Sequence, residues 1–455
     1  MSKQNQISRR LVLVPCPYEG HLNPMLQLGT VLHSKGFSIT IAHTIYNSPN
    51  PHNLPDFSFL PFPDGLSDHD LASSDVVAHI LTINDNCKKT FERRIEQLME
   101  EKRLQGEIIS CIISDELMSF AEDAANNLKL PSIILRTTSA ATTFARCRLV
   151  TIKEEGGIPF PFQGPFSHDL VPGLHPLRFK DLPFSPSPDF ERFVRLIAIA
   201  YNKRTSSAII WNTMTCLEQS TLDQVQQQSE VPVFPIGPIY KMAAANICSG
   251  LIKDDRSCLS WLDKQPHNSV IYVSSLGSLA SIGEREVSEI ASGLANSEQR
   301  FLWVIRPDSI RSSHWIELLP KGFQDVVGDK GCIVRWAPQR EVLAHPAVGG
   351  FWSHCGWNST LESITEGVPM ICKPWFSDQR VNARYVSHVW RVGLELEELE
   401  REEIERVVRR LMLDDEGKEM RERAKELKEK IEVSTREGGS SCNYLDELIN
   451  FIMLI

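Results

Sequence analysis

Residues 349–363 read GGFWSHCGWNSTLES, a strand passing into a helix with Asn358 and Ser359 at its start. Outward from this point the same alternation repeats. Short β-rich apolar runs at residues 11–14, 38–42, 108–113 and 132–135, and again at 270–273, 301–305, 333–334 and 370–372, are separated by amphipathic or charged segments. That is the rhythm of βα units and parallel sheets, and it occurs twice. Parallel α/β sheets bind ligands outside the carboxyl ends of their strands. A helix starting there offers free N–H groups and a dipole to an anion.

At 455 residues the chain exceeds the size at which one core keeps growing, so two domains of about 200 residues each are expected. Residues 231–240 (VPVFPIGPIY) are rich in Pro and are followed by the small, polar KMAAANICSG. The expected organisation is an N-terminal domain at 1–238, a linker at 239–257, a C-terminal domain at 258–435 and a last helix at 436–455. In the tail, Ile404, Val407, Val408 and Leu411, then Met420, Ala424, Leu427 and Ile431, fall at helical spacing, and the charges between them read as a solvated face. Residues 156–188, rich in Pro and Phe, read as loop.

The formal net charge of −10 and pI near 5.8 argue against nucleic acid or an anionic membrane as partner. Eleven Cys without paired spacing suit free thiols in a reducing compartment. The polar start MSKQNQISRR and the short apolar run after it match neither a signal-peptide core nor a membrane span. A cytoplasmic protein without stable membrane insertion is expected.

Residues 336–379 read WAPQREVLAHPAVGGFWSHCGWNSTLESITEGVPMICKPWFSDQ. This stretch resembles, almost position for position, the donor-binding signature of plant UDP-dependent glycosyltransferases that modify small molecules. The resemblance implies two Rossmann-like parallel-sheet domains facing each other across a cleft (the GT-B fold), with the last helix returning to the N-terminal domain. It also implies a UDP-sugar site that is locally electropositive. In that site Trp336 with Ala337 meets the uracil, Gln339 lies by the ribose or base, and Glu362 binds both ribose hydroxyls. His354, Asn358 and Ser359 hold the diphosphate, while Trp357, Asp378 and Gln379 hold the sugar, Gln379 favouring glucose. Taken without the resemblance, Asn358 and Ser359 read as helix caps and Ser359-x-x-Glu362 as a capping box. One departure stands out: the family's Val-Ser-Phe-Gly-Ser strand end appears here as Val273-Ser274-Ser275-Leu276-Gly277-Ser278, one residue longer. The family's glycine loop approaches the diphosphate here, so the extra residue leaves the register of Ser278 open, and a bulge is one way to absorb it.

Glu19-Gly20-His21-Leu22-Asn23-Pro24 follows the first strand, which puts His21 in the first βα loop, with Pro24 suited to a helix start. Asp115 ends the strand IISCIISD and reaches the same rim. The resemblance implies that this His is the general base and this Asp holds its ring. An acceptor hydroxyl is a poor nucleophile until a base takes its proton, and a carboxylate stabilises the imidazolium that forms. No metal is expected, since the one Asp-x-Asp triplet, Asp68-His69-Asp70, sits in a polar loop.

The expected activity is inverting transfer of glucose from UDP-glucose to a small lipophilic acceptor such as a terpenoid, flavonoid or cytokinin, by a monomer. Candidate acceptor contacts are Glu19, Phe144, Phe193 and Phe376, with Phe160, Phe162, Phe190 and Leu196 as further apolar lining. A non-catalytic binder of small lipophiles has no need of both His21 and Asp115. A nicotinamide-dependent oxidoreductase lacks its G-x-G-x-x-G after the first strand.

Overall fold

A computed structural model describes residues 8–73, 75–155, 165–185, 189–201, 205–243, 255–306, 309–310 and 319–455. Phe160, Phe162 and most of the expected linker lie outside these residues. The chain divides into two compact units: one from residues 1–157, 185–251 and 433–455, the other from 158–184 and 252–432.

The first unit is built on seven parallel strands: β1 (Ser8–Val14), β2 (Ser38–Thr44), β3 (Ser58–Phe62), β4 (Glu107–Asp115), β5 (Ser132–Arg136), β6 (Ala208–Trp211) and β7 (Val233–Pro235). They lie in the order β3-β2-β1-β4-β5-β6-β7. The central strands are unbroken apolar runs because helices cover both faces of a parallel sheet. Leu11, Val12, Leu13, Cys111, Ile112 and Ile113 are accordingly all buried. Three of these strands, β3, β6 and β7, escape the reading of apolar runs. Of these, β3 and β7 each contain a Pro and lie at the sheet edges, where a missing N–H is tolerated. The last helix, Ser440–Leu454, packs Leu445, Leu448 and Ile452 into this unit's core.

The second unit has six parallel strands: β8 (Val270–Ser274), β9 (Arg300–Val304), β10 (Gly331–Val334), β11 (Val348–Ser353), β12 (Met370–Cys372) and β13 (Gly393–Glu395). Their order is β10-β9-β8-β11-β12-β13. The two parallel α/β sheets expected from the sequence are therefore present.

Two expectations are corrected here. Residues 165–184, assigned from sequence to the N-terminal domain, belong to the second unit. Arg178 pairs with Asp181 and Glu395, Lys180 pairs with Glu397, and Phe184 O accepts from Ser377 N–H at 2.6 Å. The extra residue at Ser274-Ser275 is taken up at the end of the strand and not by a bulge within β8, because β8 pairs β9 in unbroken register from Val270 to Val273 and ends at Ser274. The irregularity falls in β11, between Val348 and Gly350. A Cβ at Gly349 would lie 2.3 Å from Asn268 O, so only glycine fits there. Among the described residues no helix is long and apolar enough to cross a membrane, and the cysteines are free thiols.

Candidate active site

In each sheet the strand order reverses once, between β1 and β4 in the first and between β8 and β11 in the second. Neighbouring connections leave to opposite sides at such a point and open a crevice at the strand ends. The candidate residues cluster at these two places.

In the first unit the helix Glu19–Ser34 begins immediately after the β1 turn, so His21 is the third residue of that helix and not part of a loop. Pro24 lies inside the helix and does not start it, because Tyr18 O already accepts from the N–H groups of His21 and Leu22. Asp115 closes β4 and is fully buried. His21 Nδ1 lies 2.9 Å from Asp115 Oδ2 and 2.9 Å from Thr137 Oγ1. Asp115 Oδ1 in turn accepts from Leu117 N–H at 3.0 Å, which fixes the carboxylate. An Nδ1–H donated to these oxygens leaves Nε2 with its lone pair. Burial, the largest influence, pulls the His21 pKa down. The charge and hydrogen bond of Asp115, helped by Glu116, outweigh it, and the net pKa is raised. Thr137 was not among the expected residues. Its signal was positional, because it directly follows β5, the strand beside β4.

Glu19 is the first residue of the same helix and is half-buried. Phe144 is half-buried against the cluster around Trp211, and Phe193 is buried 6.3 Å from the Phe190 ring. Phe376 belongs to the second unit. Asp70 is spent on Ser67, whose N–H and hydroxyl donate to its carboxylate at 2.8 and 2.7 Å in a helix-capping box.

In the second unit the loop after β8 carries Ser275, Leu276, Gly277 and Ser278. Gly277 has φ +57°, and a Cβ there would lie 2.7 Å from His354 Nε2. The glycine thus lets this loop close on His354, which follows β11. Burial draws the His354 pKa down to about 4, so it offers a neutral N–H and no charge. Positive potential at this end of the sheet comes from the helix Trp357–Glu366, with Asn358 and Ser359 as its second and third residues. Ser275 Oγ is buried without a hydrogen-bond partner, as expected of a group that a ligand oxygen would complete.

The N-cap of that helix is Gly356, so the capping-box reading of Ser359 and Glu362 fails. The Glu362 carboxylate instead accepts from Gln339 Nε2 at 2.8 Å, and Gln339 Nε2 also donates to Ser359 Oγ at 2.8 Å. Tyr272 Oη donates to Gln339 Oε1 at 3.3 Å, which makes Gln339 the orienting member of the group. Burial raises the Glu362 pKa, opposed by the bond from Gln339.

Trp336 is half-buried beside buried Ala337, which leaves ring surface for stacking. Trp357 differs, with an indole that is buried and packed 6.3 Å from the Trp390 ring. A ligand there would meet the first turn of the helix and not the indole face. Gln379 is buried and its Oε1 accepts from the N–H groups of Trp375 and Phe376, leaving its amide N–H₂ as donor. Asp378 is half-buried and accepts from Asn382 Nδ2 at 3.1 Å. Trp375, whose Nε1 donates to Ser275 O at 2.6 Å and ties the last part of the signature to the β8 loop, was not anticipated.

Comparison with known proteins follows this geometry. Residues 200–428 match the family described as UDP-glucoronosyl and UDP-glucosyl transferase. The flavonol 3-O-glucosyltransferase UGT76E12 of Arabidopsis thaliana is 49% identical over 451 residues, covering 98% of this chain and 97% of that protein. Medicago truncatula UGT71G1 complexed with UDP-glucose superposes with a TM-score of 0.82 at 28% identity, covering 99% of this chain and 100% of that one. Phytolacca americana UGT2 complexed with UDP-2fluoro-glucose and pterostilbene gives a TM-score of 0.80 at 29% identity, covering 98% and 100%.

Proposed function

The chain belongs to the UDP-glucoronosyl and UDP-glucosyl transferase family, and from that premise we propose that it moves glucose from UDP-glucose, with inversion, to a hydroxyl of a small lipophilic acceptor. Terpenoids, flavonoids and cytokinins are the acceptor classes proposed, and the product is a β-glucoside. The observation that carries this reading is the 2.9 Å bond between His21 and the fully buried Asp115 at a strand-order reversal. A protein that only bound lipophiles would gain nothing from it.

In the proposed step the acceptor O–H gives its proton to His21 Nε2 as its oxygen attacks the anomeric carbon. The carbon–oxygen bond to UDP breaks on the opposite face, and its electron pair leaves with the diphosphate. Asp115 and Thr137 hold the ring, and Asp115 stabilises the imidazolium. The leaving group is met by the N-terminus of the helix Trp357–Glu366 and by neutral His354. Trp336 stacks on uracil, Glu362 takes the ribose hydroxyls, and Asp378 and Gln379 take the sugar. The step needs no divalent ion, and the chain acts as a cytoplasmic monomer.

Flavonoid acceptors are supported by the flavonol 3-O-glucosyltransferase among the relatives. The test is UDP release, with mass spectrometry of the products, after mixing UDP-glucose with a panel of terpenoids, flavonoids and cytokinins. A hexose added to at least one acceptor supports the proposal, and failure across the whole panel with intact UDP binding counts against it.

A further inference from the structure

Among the described residues one group of three metal-ligating side chains comes together. Cys16, His21 and Asp115 bring a sulfur, a ring nitrogen and a carboxylate oxygen within 4.8 Å of one another. Cys16 follows β1, is fully buried and has no part in the proposed transfer. Thiolate, imidazole and carboxylate form a donor set that zinc and cobalt(II) accept in tetrahedral sites, with the fourth position left to water. Bond lengths of about 2.0–2.3 Å place tetrahedral ligand atoms roughly 3.3–3.8 Å apart. Small side-chain rotations close a spread of at most 4.8 Å to that size. The His21 side chain is 20% exposed, which gives an ion a way in.

We propose that Cys16, His21 and Asp115 form an inhibitory site for a soft divalent cation, zinc(II) above all. Its effect on activity rests on the reading of His21 as the base, whereas the binding itself does not. An ion on His21 Nδ1 replaces the bond to Asp115, and the single proton of the neutral ring then sits on Nε2. That nitrogen has no lone pair left for an acceptor hydroxyl. The Cys16 thiol releases one proton to solvent as the metal–sulfur bond forms, and the ion loses waters to the three ligands. The metal thus takes away the base without supplying any chemistry of its own, which separates it from a metal cofactor.

The experiment titrates the full chain and Cys16→Ala with zinc chloride while UDP release is followed, and separately with cobalt(II) in the absence of substrate. In the parent protein zinc should inhibit, EDTA should restore full turnover, and cobalt should give a thiolate-to-cobalt charge-transfer band in the near ultraviolet. In Cys16→Ala the band should vanish and the zinc concentration for half-inhibition should rise roughly tenfold or more, as expected on losing one of three ligands. Metal-free turnover should be unchanged, and Cys16→Ser provides a second variant closer in volume. A cobalt band that persists without Cys16, or equal zinc inhibition in parent and variants, would overturn the proposal. The cobalt arm reads the site even if no acceptor in the panel is glucosylated.

Discussion

Gln339 Nε2 donates to Glu362 Oε2 at 2.8 Å, and that one bond separates ligand from cap. Because the helix starts at Trp357 with Gly356 as N-cap, Glu362 contributes nothing to the helix terminus. Glu362→Gln still accepts from Gln339 and should leave the melting temperature almost unmoved. It removes the charge from the two ribose bonds proposed for Glu362, each worth roughly 1.5–3 kcal/mol. The UDP-glucose dissociation constant should rise tenfold or more, about 1.4 kcal/mol per decade. Calorimetric titration of the folded variant checks this, and an unchanged constant would remove Glu362 from the ribose.

Gln379→His should weaken the preference for UDP-glucose over UDP-galactose by about 1–2 kcal/mol, the scale of one buried hydrogen bond. Gln379 Oε1 also serves the N–H groups of Trp375 and Phe376, so the same substitution should lower the melting temperature. The ratio of kcat/KM for the two donors, measured with thermal melts, reads both effects. Lower stability with identical donor selectivity would leave Gln379 as a turn-former only.

The residues of the 336–379 signature could be placed on the fold from the sequence because they lie within one continuous stretch whose order mirrors a strand, a helix start and the next strand end. It was less informative where tertiary contacts decide. Nothing local marks Thr137 as a partner of His21, since their juxtaposition comes from β5 lying next to β4. The segment at 165–184 looked like a loop of the first domain, and tertiary contacts such as the ion pairs of Arg178 and Lys180 with Glu395 and Glu397 assign it elsewhere. Pro24 misled as a helix start, because the Tyr18 carbonyl had already begun the helix. The three-residue strand β13 offered too few residues to show a period.

Gly277→Ala should damage the loop after β8, proposed to face the diphosphate. A left-handed φ costs a non-glycine residue roughly 1–2 kcal/mol, and the added methyl would push His354 aside. A lower melting temperature together with weaker UDP binding is expected. Lower stability with unchanged UDP affinity would place the loop away from the phosphates.

The base must be unprotonated, so kcat/KM should rise with pH through the His21 pKa, which the net effect of its surroundings holds above the ordinary value of about 6.5. Asp115→Asn removes the leading raising influence, leaves burial opposed only by the weaker effect of Glu116 and should move the acid limb to lower pH. Its plateau rate should fall as well, because the imidazolium loses its counter-charge. A limb that stays in place in Asp115→Asn would assign it to another group.

The most direct measurement is single-turnover glucosyl transfer by His21→Ala beside its UDP dissociation constant. Turnover should fall by roughly 10²–10⁴-fold, the usual contribution of a general base, while UDP binds as it does to the parent. The residues proposed to hold UDP lie in the second unit, and His21 belongs to the first. Transfer at the parental rate would contradict the assignment of His21 as base, and so would a loss of UDP binding in step with activity.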